Sequence, residues 1–244
     1  MNPLFSVFVS KLPTNVMNLL PTGNKFITFL NPYSLFAARE YALKYKEFDY
    51  IASDGILPVW MNSFFHVSKT IRCSFDMAGI AGLIFKYAIS EKKRIYFWGT
   101  TSENLTKFLK VIRQNYPSLQ IAGWHHGYVE SLEERIWEDI QNSNADIIII
   151  GMGTPKQDLM ALKLKEKGYM GSVYTCGGFM HQTIEKINYY PFWINKLNLR
   201  SMYRLYKEPE TLKRFFKTYP KFLFSYSYFL IKTKYFSSGL EADK

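Results

Sequence analysis

The chain has 244 residues, enough for one sizeable α/β core with an appendage or for two small domains. Hydrophobic residues make up 48% of it, which excludes an intrinsically disordered chain, and no run of about 18 uncharged apolar residues predicts a transmembrane helix. Two cysteines are too few for a disulfide framework, and the N-terminal segment lacks a basic leader, so we expect a reducing, cytoplasmic setting. The net charge of +11 favours nucleic acid, anionic lipid or a phosphorylated substrate as the partner.

A strand-then-helix rhythm runs through the first three-quarters of the chain. Six short β-rich runs are continuously apolar, as expected for strands covered on both faces. They are predicted at Phe26–Leu30, Asp49–Ser53, Arg94–Trp98, Leu119–Ala122, Asp146–Ile150 and Gly171–Cys176. We therefore predict an α/β, Rossmann-like fold with a mostly parallel sheet, helices on both faces and a helical C-terminal appendage. The predicted domains are residues 1–190, the Rossmann-like part, and residues 191–244, the appendage.

Two of the helices between these strands have amphipathic patterns. The apolar positions are Leu105, Phe108, Leu109 and Ile112 in one, and Leu132, Ile136 and Ile140 in the other. Ser131 and Glu134 have the spacing of a capping box, which predicts that Ser131 caps the second helix.

The loops that follow the predicted strands are the candidate binding loops, because ligands of parallel sheets bind outside the carboxyl ends of the strands. Most of these loops carry Gly, Thr or a carboxylate where the backbone would come close to a ligand. They are Asn31-Pro32, Asp54-Gly55, Gly99-Thr100-Thr101, residues 151–158 and Gly177-Gly178. Since α/β proteins of many functions share this pattern, it locates a site without specifying its chemistry.

Residues 151–158, which read Gly-Met-Gly-Thr-Pro-Lys-Gln-Asp, are the most distinctive of these loops. Thr154 is predicted to cap the next helix with Pro155 in its first position. Lys156 and the free amides of that helix would then form a cradle for a diphosphate. The segment is neither a Walker loop nor the dinucleotide fingerprint. Alternatively, Thr154 and Gln157 form a capping box that serves only the helix.

Asp54-Gly55 follows a strand that should be buried. A carboxylate at this position would act as a general base on a substrate hydroxyl if its pKa lies near the working pH. Alternatively, the Asp-Gly pair forms only a turn.

Other residues with reactive side chains carry weaker predictions. His125 and His126 are adjacent near a strand, so their side chains should point to opposite faces, and no Cys or carboxylate completes a metal spacing. Each is better explained as a hydrogen-bonding loop residue. Cys176 ends an apolar strand, which favours a small buried hydrophobe over a nucleophile.

The C-terminal segment carries most of the charge. Between Pro191 and Phe236, ten Lys and Arg residues interleave with fourteen aromatic ones, and only two residues are acidic. Aromatic anchors among cations are typical of helices that lie on an anionic membrane surface. The same residues are compatible with packing onto the core, with the cations as its solvated face. Stacking on single-stranded nucleic acid is a third interpretation, which fits them least well.

Several of these motifs occur together and in order in the WecG/TagA/CpsF glycosyltransferases (glycosyltransferase family 26), which this sequence resembles from about Ile27 to Lys221. The shared positions are Asn31, Asp54-Gly55, Arg72 with Asp76, Tyr116-Pro117, Gly123 with His126-Gly127-Tyr128, Gly151-x-Gly-x-Pro-Lys-Gln-Asp158, and Tyr203-Arg204-Leu205 with Glu208-Pro209. No single motif is decisive, but an ordered series of this kind rarely arises by chance.

The resemblance implies an enzyme that transfers a sugar, with inversion, from a UDP-sugar to a sugar linked to a polyprenyl diphosphate in the synthesis of surface polysaccharide or cell-wall polymer. It implies a peripheral enzyme on the inner face of the cell membrane, docked on the anionic surface through its C-terminal appendage, with no metal, other cofactor or nucleic-acid partner. The sequence leaves open whether the chain forms a homo-oligomer. An alternative function is a non-catalytic nucleotide-sugar- or lipid-binding partner of another transferase.

By the same resemblance, Asp54 is the expected general base and Gln157 lies in the nucleotide-sugar pocket. Arginines of the appendage would hold the diphosphate, with Arg204 as the best candidate and Arg214 and Lys207 as weaker ones. The remaining predicted substrate-binding residues are Asn31, Gly55, Arg72, Asp76, Gly99, Gly151, Gly153, Pro155 and Lys156.

The sequence departs from the family pattern around the expected pocket. Phe29 stands where many members have Thr, Met180-His181 replaces Phe-Asp, Tyr189-Tyr190-Pro191 replaces Arg-Ala-Pro, and Leu199-Arg200-Ser201 replaces Leu-Glu-Trp. These differences leave the donor sugar, the acceptor sugar and the linkage open. Asp54 and Gln157 are retained, which favours a catalytic protein over a degenerate one.

Overall fold

Six parallel strands form the centre of the fold. The computed structural model of the protein describes residues 2–131, 133–197 and 199–239. The strands are β1 (Phe26–Leu30), β2 (Tyr50–Ser53), β3 (Arg94–Gly99), β4 (Gln120–His125), β5 (Ile147–Gly151) and β6 (Ser172–Thr175), in the spatial order β2-β1-β6-β5-β3-β4. Every neighbouring pair is parallel, so the predicted Rossmann-like α/β fold is confirmed.

Helices and short 3₁₀ turns connect and flank the strands. The helices are α1 (Leu4–Ser10), α2 (Pro32–Ala37), α3 (Ile56–Phe64), α4 (Ala81–Ser90), α5 (Ser102–Asn115), α6 (Glu134–Ser143), α7 (Lys156–Glu166), α8 (Phe179–Glu185), α9 (Phe192–Lys196), α10 (Arg200–Lys207) and α11 (Glu210–Gly239). The 3₁₀ turns are Val16–Leu19, Arg39–Tyr41 and Lys44–Glu47.

Alternate residues of β5 belong to two different buried clusters. Ile148 and Ile150 lie in the cluster that contains the residues of α1, whereas Ile147 and Ile149 lie in the cluster that contains those of α5. Since successive side chains of a strand point to opposite faces, the sheet is covered on both sides. This is why β5 is continuously apolar rather than alternating.

The chain changes its direction of travel across the sheet between β3 and β5. The connection after β3 leads outward to β4, and the connection after β5 leads the other way to β6. A crevice opens outside the carboxyl ends of the strands at such a switch point, and ligands bind there. The ends of β3 and β5 come close because Gly99 has no side chain. A Cβ at this position would overlap the carbonyl oxygen of Gly151.

The predictions for α5 and α6 differ in how well they agree with the structure. The four predicted apolar positions of α5 are all buried, which confirms its stripe. The predicted cap of α6 is wrong, because the helix begins at Glu134 with Glu133 as an extended N-cap and no side-chain cap. Ser131 therefore lies too far upstream to cap the helix. Ile136 and Ile140 are buried, and Leu132 lies outside the described residues.

The C-terminal helix α11 packs against the beginning of the chain. Phe222, Tyr226 and Phe229 are buried, and their ring centroids lie between 4.9 and 5.9 Å from that of Phe5 in α1. Asn62 of α3 donates a hydrogen bond to the Tyr226 hydroxyl (2.8 Å). Core packing thus accounts for one face of the aromatic pattern. Among the helices that the structure describes, none is long and apolar enough to span a bilayer. The domain boundary after residue 190 stays a prediction.

Candidate active site

A cavity of about 530 Å³ lies at the carboxyl edge of the sheet, between the strand ends and the helices α10 and α11. The loops after β1, β2, β3, β5 and β6 all contribute to its walls. Of the predicted site residues, those that line it are Asn31, Asp54, Gly55, Arg72, Asp76, Gly151, Gly153, Lys156, Gln157, Arg204 and Arg214. Gly99 and Pro155 do not line the cavity, and neither does the exposed Lys207.

Asp54 occupies the first position after β2. Its backbone N–H donates to the carbonyl of Leu30 (2.9 Å), which continues the pairing of β2 with β1 by one residue. Gly55 follows with φ of 155°, a conformation that favours glycine. The Asp-Gly pair therefore forms a turn, and this turn presents Asp54 to the cavity. The two interpretations of this pair, a turn and a catalytic carboxylate, are compatible.

Asp54 belongs to a cluster of two carboxylates and two guanidinium groups. Arg200, the first residue of α10, forms an ion pair with Asp76 in which the side chains are 12% and 13% exposed. Burial raises the pKa of Asp76, and the charge of Arg200 opposes this rise. Burial lowers the pKa of Arg72; Arg200 acts in the same direction, and Asp54 and Asp76 oppose it. The charges of the cluster are thus balanced within the protein.

Arg200 and Tyr190 line the cavity, although neither was among the predicted site residues. The guanidinium carbon of Arg200 lies 4.9 Å from the centroid of the Tyr190 ring. The one signal in the sequence is that both occupy positions where the chain departs from the family pattern. That signal marks the two positions as unusual but does not indicate that they meet, because only the packing of the segment around α9 brings them together.

The start of α7 differs from the prediction. Pro155 occupies the N-cap, and no side chain caps the helix. The amides of Gln157 and Asp158 donate to the carbonyls of Gly153 and Pro155 (3.0 and 3.1 Å). These two amides are therefore not free, because the preceding turn already accepts their hydrogen bonds.

Gln157 connects the loops after β5 and β6. Its buried side chain accepts hydrogen bonds at Oε1 from the amides of Gly153 (3.2 Å) and Gly177 (3.0 Å), and donates from Nε2 to Thr154 Oγ1 (3.4 Å). The predicted capping box is not formed. Gln157 instead fixes the separation of the two loops that form one wall of the cavity.

Two predicted binding residues have local structural contacts as well. Asn31 caps α2, since its Oδ1 accepts a hydrogen bond from the Ser34 amide (3.0 Å). Lys156 donates from Nζ to the carbonyl of Gly127 (3.0 Å), which ties α7 to the loop after β4. These contacts hold both side chains at the edge of the cavity.

Asp158 lies behind the cavity wall and is fully buried. Thr28 of β1 donates a hydrogen bond to its carboxylate, and the Thr28 hydroxyl lies 2.8 Å from that of Thr175 in β6. Burial raises the pKa of Asp158 to about 6, and the hydrogen bond from Thr28 opposes the rise. This residue therefore connects α7 to the two central strands rather than to a ligand.

The appendage contributes Arg204 and Arg214 to the lining of the cavity. Arg204 donates from Nε to Glu208 (2.8 Å), and the guanidinium carbon of Arg214 lies 5.2 Å from the centroid of the Tyr33 ring. Burial acts to lower the pKa of Arg204, but the charges of Glu208 and Asp54 and the Tyr190 hydroxyl more than offset this, so that the pKa lies above its usual value. Arg204 therefore carries a full positive charge at the cavity.

The histidine pair and Cys176 give one correction and one confirmation. The prediction that His125 and His126 point to opposite faces is wrong, because β4 ends at His125 and the two ring centroids lie 4.4 Å apart. Nδ1 of His125 is hydrogen-bonded to the His126 carbonyl (2.8 Å). Cys176 is buried, as predicted, and burial raises the pKa of its thiol. Within the described ranges, no three His, Cys, Asp or Glu residues are grouped so as to hold a metal ion.

Comparisons with known proteins show which sequences this chain is similar to. The family model described as "Glycosyl transferase WecG/TagA/CpsF family" matches residues 3–235. A UDP-Gal:alpha-D-GlcNAc-diphosphoundecaprenol beta-1,4-galactosyltransferase from Shigella boydii is 39% identical over 81% of this chain and 83% of its own length. Two N-acetylglucosaminyldiphosphoundecaprenol N-acetyl-beta-D-mannosaminyltransferases are also similar. The one from Bacillus subtilis is 28% identical over 77% of this chain and 73% of its own length, and the one from Bacillus spizizenii is 24% identical over 85% and 80%.

Proposed function

Because the chain belongs to the WecG/TagA/CpsF family of glycosyltransferases, we propose that it transfers a sugar, with inversion, from a UDP-sugar to N-acetylglucosamine linked to undecaprenyl diphosphate. The names of the three relatives specify this lipid-linked acceptor. The Shigella relative uses UDP-galactose, so we propose UDP-galactose as the donor. The product would serve in the assembly of surface polysaccharide or cell-wall polymer.

The observation that supports this proposal is that Asp54 and the cationic side chains of Arg72, Lys156 and Arg204 line the same cavity. In an inverting transfer, the acceptor hydroxyl oxygen bonds to the anomeric carbon while the bond from that carbon to the UDP oxygen breaks. Asp54 would take the proton of the hydroxyl. The three cations would stabilise the negative charge that the departing UDP acquires.

The exposed face of α11 supports a peripheral position on the membrane. Phe216, Phe224 and Tyr228 are 69%, 81% and 62% exposed, and Lys217 and Lys221 are exposed on the same helix. Helices with aromatic and cationic residues of this kind bind the interface of anionic bilayers. Since the proposed acceptor is held in the membrane by its lipid, we expect the enzyme to work on the inner face of the cell membrane.

The test is a donor panel in the presence of a short-chain polyprenyl-diphosphate N-acetylglucosamine. UDP-galactose, UDP-glucose, UDP-N-acetylglucosamine and UDP-N-acetylmannosamine are each incubated with the protein, and UDP release and product mass are measured. We expect UDP release with UDP-galactose that depends on the acceptor and a product heavier by one hexose. Binding of the donors without turnover of any of them would instead support a non-catalytic nucleotide-sugar-binding protein.

A further inference from the structure

Arg200 joins the C-terminal segment to the core at the cavity that Asp54 also lines. Its Nη1 donates to Asp76, its Nε donates to Asn195 Oδ1 (2.5 Å), and its guanidinium plane lies over Tyr190. These contacts use the two edges and the face of the guanidinium group, which a lysine cannot do. Asp76 comes from the segment before α4, so the ion pair connects elements that are distant in the chain.

The position of Arg200 determines which way α10 faces. Arg200, Arg204 and Glu208 follow one another at intervals of four residues, so they lie along one side of the helix and its C-terminal end. Arg204 donates to Glu208, which also accepts a hydrogen bond from the Tyr189 hydroxyl (3.2 Å). Arg204 lies in the cavity wall next to Gly178. A rotation of α10 that released Arg200 would therefore move Arg204 out of the cavity.

Arg200 also compensates the charge of Asp76. The carboxylate of Asp76 is nearly buried and lines the same cavity as Arg204 and Lys156. Removing one partner of a buried ion pair leaves an uncompensated charge, which costs much more than the pair itself contributes. Without Arg200, the two carboxylates of Asp54 and Asp76 would be balanced within their cluster only by the guanidinium group of Arg72, and the excess negative charge would repel a diphosphate in this cavity.

We propose that Arg200 is a positioning residue for glycosyl transfer, which acts through Asp76 to hold α10 so that Arg204 faces the donor diphosphate. This inference rests on the proposed function for its substrate. It assigns a role to a residue at which the sequence departs from the family pattern, and it requires no contact between Arg200 and the substrate.

A double-mutant cycle tests whether Arg200 acts through Asp76. With the full-length protein and UDP-galactose, Arg200→Ala is expected to lower kcat/KM at least about tenfold, because the ion pair with Asp76 is buried. The loss should come mainly from a higher KM, because Arg204 would no longer face the donor diphosphate. In an Asp76→Ala background the same substitution is expected to change kcat/KM by less than about twofold. Arg39→Ala is the matched control, since Arg39 pairs with Glu40 on the exposed surface and should leave kcat/KM unchanged. Equal losses from Arg200→Ala with and without Asp76 would overturn the proposal.

Hydrogen exchange provides a readout that does not depend on turnover. The amides of Tyr203 and Glu208, bonded to the carbonyls of Leu199 and Arg204, are expected to exchange faster in both single variants, while the amides of α5 exchange as in the wild type. Unchanged exchange of α10 in Arg200→Ala would contradict the proposal. If the wild type transfers no sugar, the proposed function fails, but the exchange measurement still decides whether Arg200 holds α10. If Arg200→Ala does not fold, Arg200→Lys is compared in its place, with a smaller change in the same direction expected.

Discussion

At the residue scale, the three carboxylates near the cavity differ in what surrounds them. Asp158 is fully buried behind the wall and bonded to Thr28, and Asp76 is paired with Arg200. Asp54 is half-buried, lies on a turn after β2 and lines the cavity. A general base must reach the acceptor hydroxyl, so geometry favours Asp54 among the three.

The first prediction concerns Asp54. Asp54→Asn keeps the turn and the backbone bond to Leu30 but cannot accept the acceptor proton, so we expect kcat to fall by about 10²- to 10⁴-fold. The KM for UDP-galactose should stay within about twofold of the wild type, because the cations that we propose to bind the diphosphate are unchanged. Steady-state UDP release measures both constants, and the exposed Glu40→Gln is the control. A variant that retains the wild-type kcat would exclude Asp54 as the base.

At the element scale, α11 has two faces with different surroundings. Phe222 and Tyr226 pack against Phe5, so the interpretation of the aromatic pattern as core packing holds for this face. Phe216 and Phe224 are exposed, and the membrane interpretation applies only to residues of this second face. Residues three or four apart lie on the same side of a helix, so Phe222 and Tyr226 share one side, whereas Phe224 and Tyr228, each two residues further along, share the other.

The second prediction concerns the exposed face of α11. Replacing Phe216, Phe224 and Tyr228 together by Ser should weaken binding to vesicles that contain anionic lipid by at least about tenfold, because three apolar anchors are lost. Vesicle flotation measures the bound fraction. A control variant with Leu43→Ser and Met170→Ser removes side chains of similar exposure, 76% and 74%, from other parts of the surface.

Flotation also distinguishes an anionic membrane from nucleic acid as the partner, since the positive net charge allows both. If the α11 variant and its control float equally with the vesicles, this face of α11 does not anchor the protein. If the wild type binds oligonucleotides and not vesicles, the cationic segment binds nucleic acid instead, and this binding should fall steeply as salt concentration rises.

At the scale of the whole molecule, the buried carboxylate of Asp158 links stability to pH. Its pKa is raised to about 6 in the folded protein, above the value of an exposed Asp. The folded state therefore binds this proton more tightly than the unfolded state does. As pH rises from about 4 to about 6, the unfolded chain loses the proton first, and the contribution of this group to the free energy of unfolding decreases.

The third prediction follows from this decrease in the contribution of Asp158 to stability as pH rises. Between pH 4.5 and 7.5, the free energy of unfolding of Asp158→Asn relative to the wild type should shift in favour of the variant by about 2 kcal/mol. Urea unfolding at the two pH values measures the shift. Asp139→Asn, at an exposed position of α6, is the control and should show no such change. An unchanged difference between Asp158→Asn and the wild type at both pH values would mean that Asp158 does not titrate with a raised pKa.

The sequence by itself determined the six strands and the edge of the sheet where the site lies. Continuous apolar runs such as Ile147–Gly151 are local patterns that reflect burial on both faces. Because the strands are parallel, the loops that follow them meet at one edge, so Asp54 and Gln157 line one cavity although they are far apart in the chain. The family motifs carry the same information, since they are concentrated in these loops.

Only the tertiary structure decided which side chains are partners. The prediction that Thr154 caps α7 was wrong because Pro155 occupies the N-cap. The amides of Gln157 and Asp158 donate to the turn before the helix, and the Gln157 side chain joins two loops. The pairing of Arg200 with Asp76 left no signal in the local pattern, because it depends on how the C-terminal helices pack on the core. Local patterns encode which residues are buried, whereas contacts between distant segments are decided by the packing that brings those segments together.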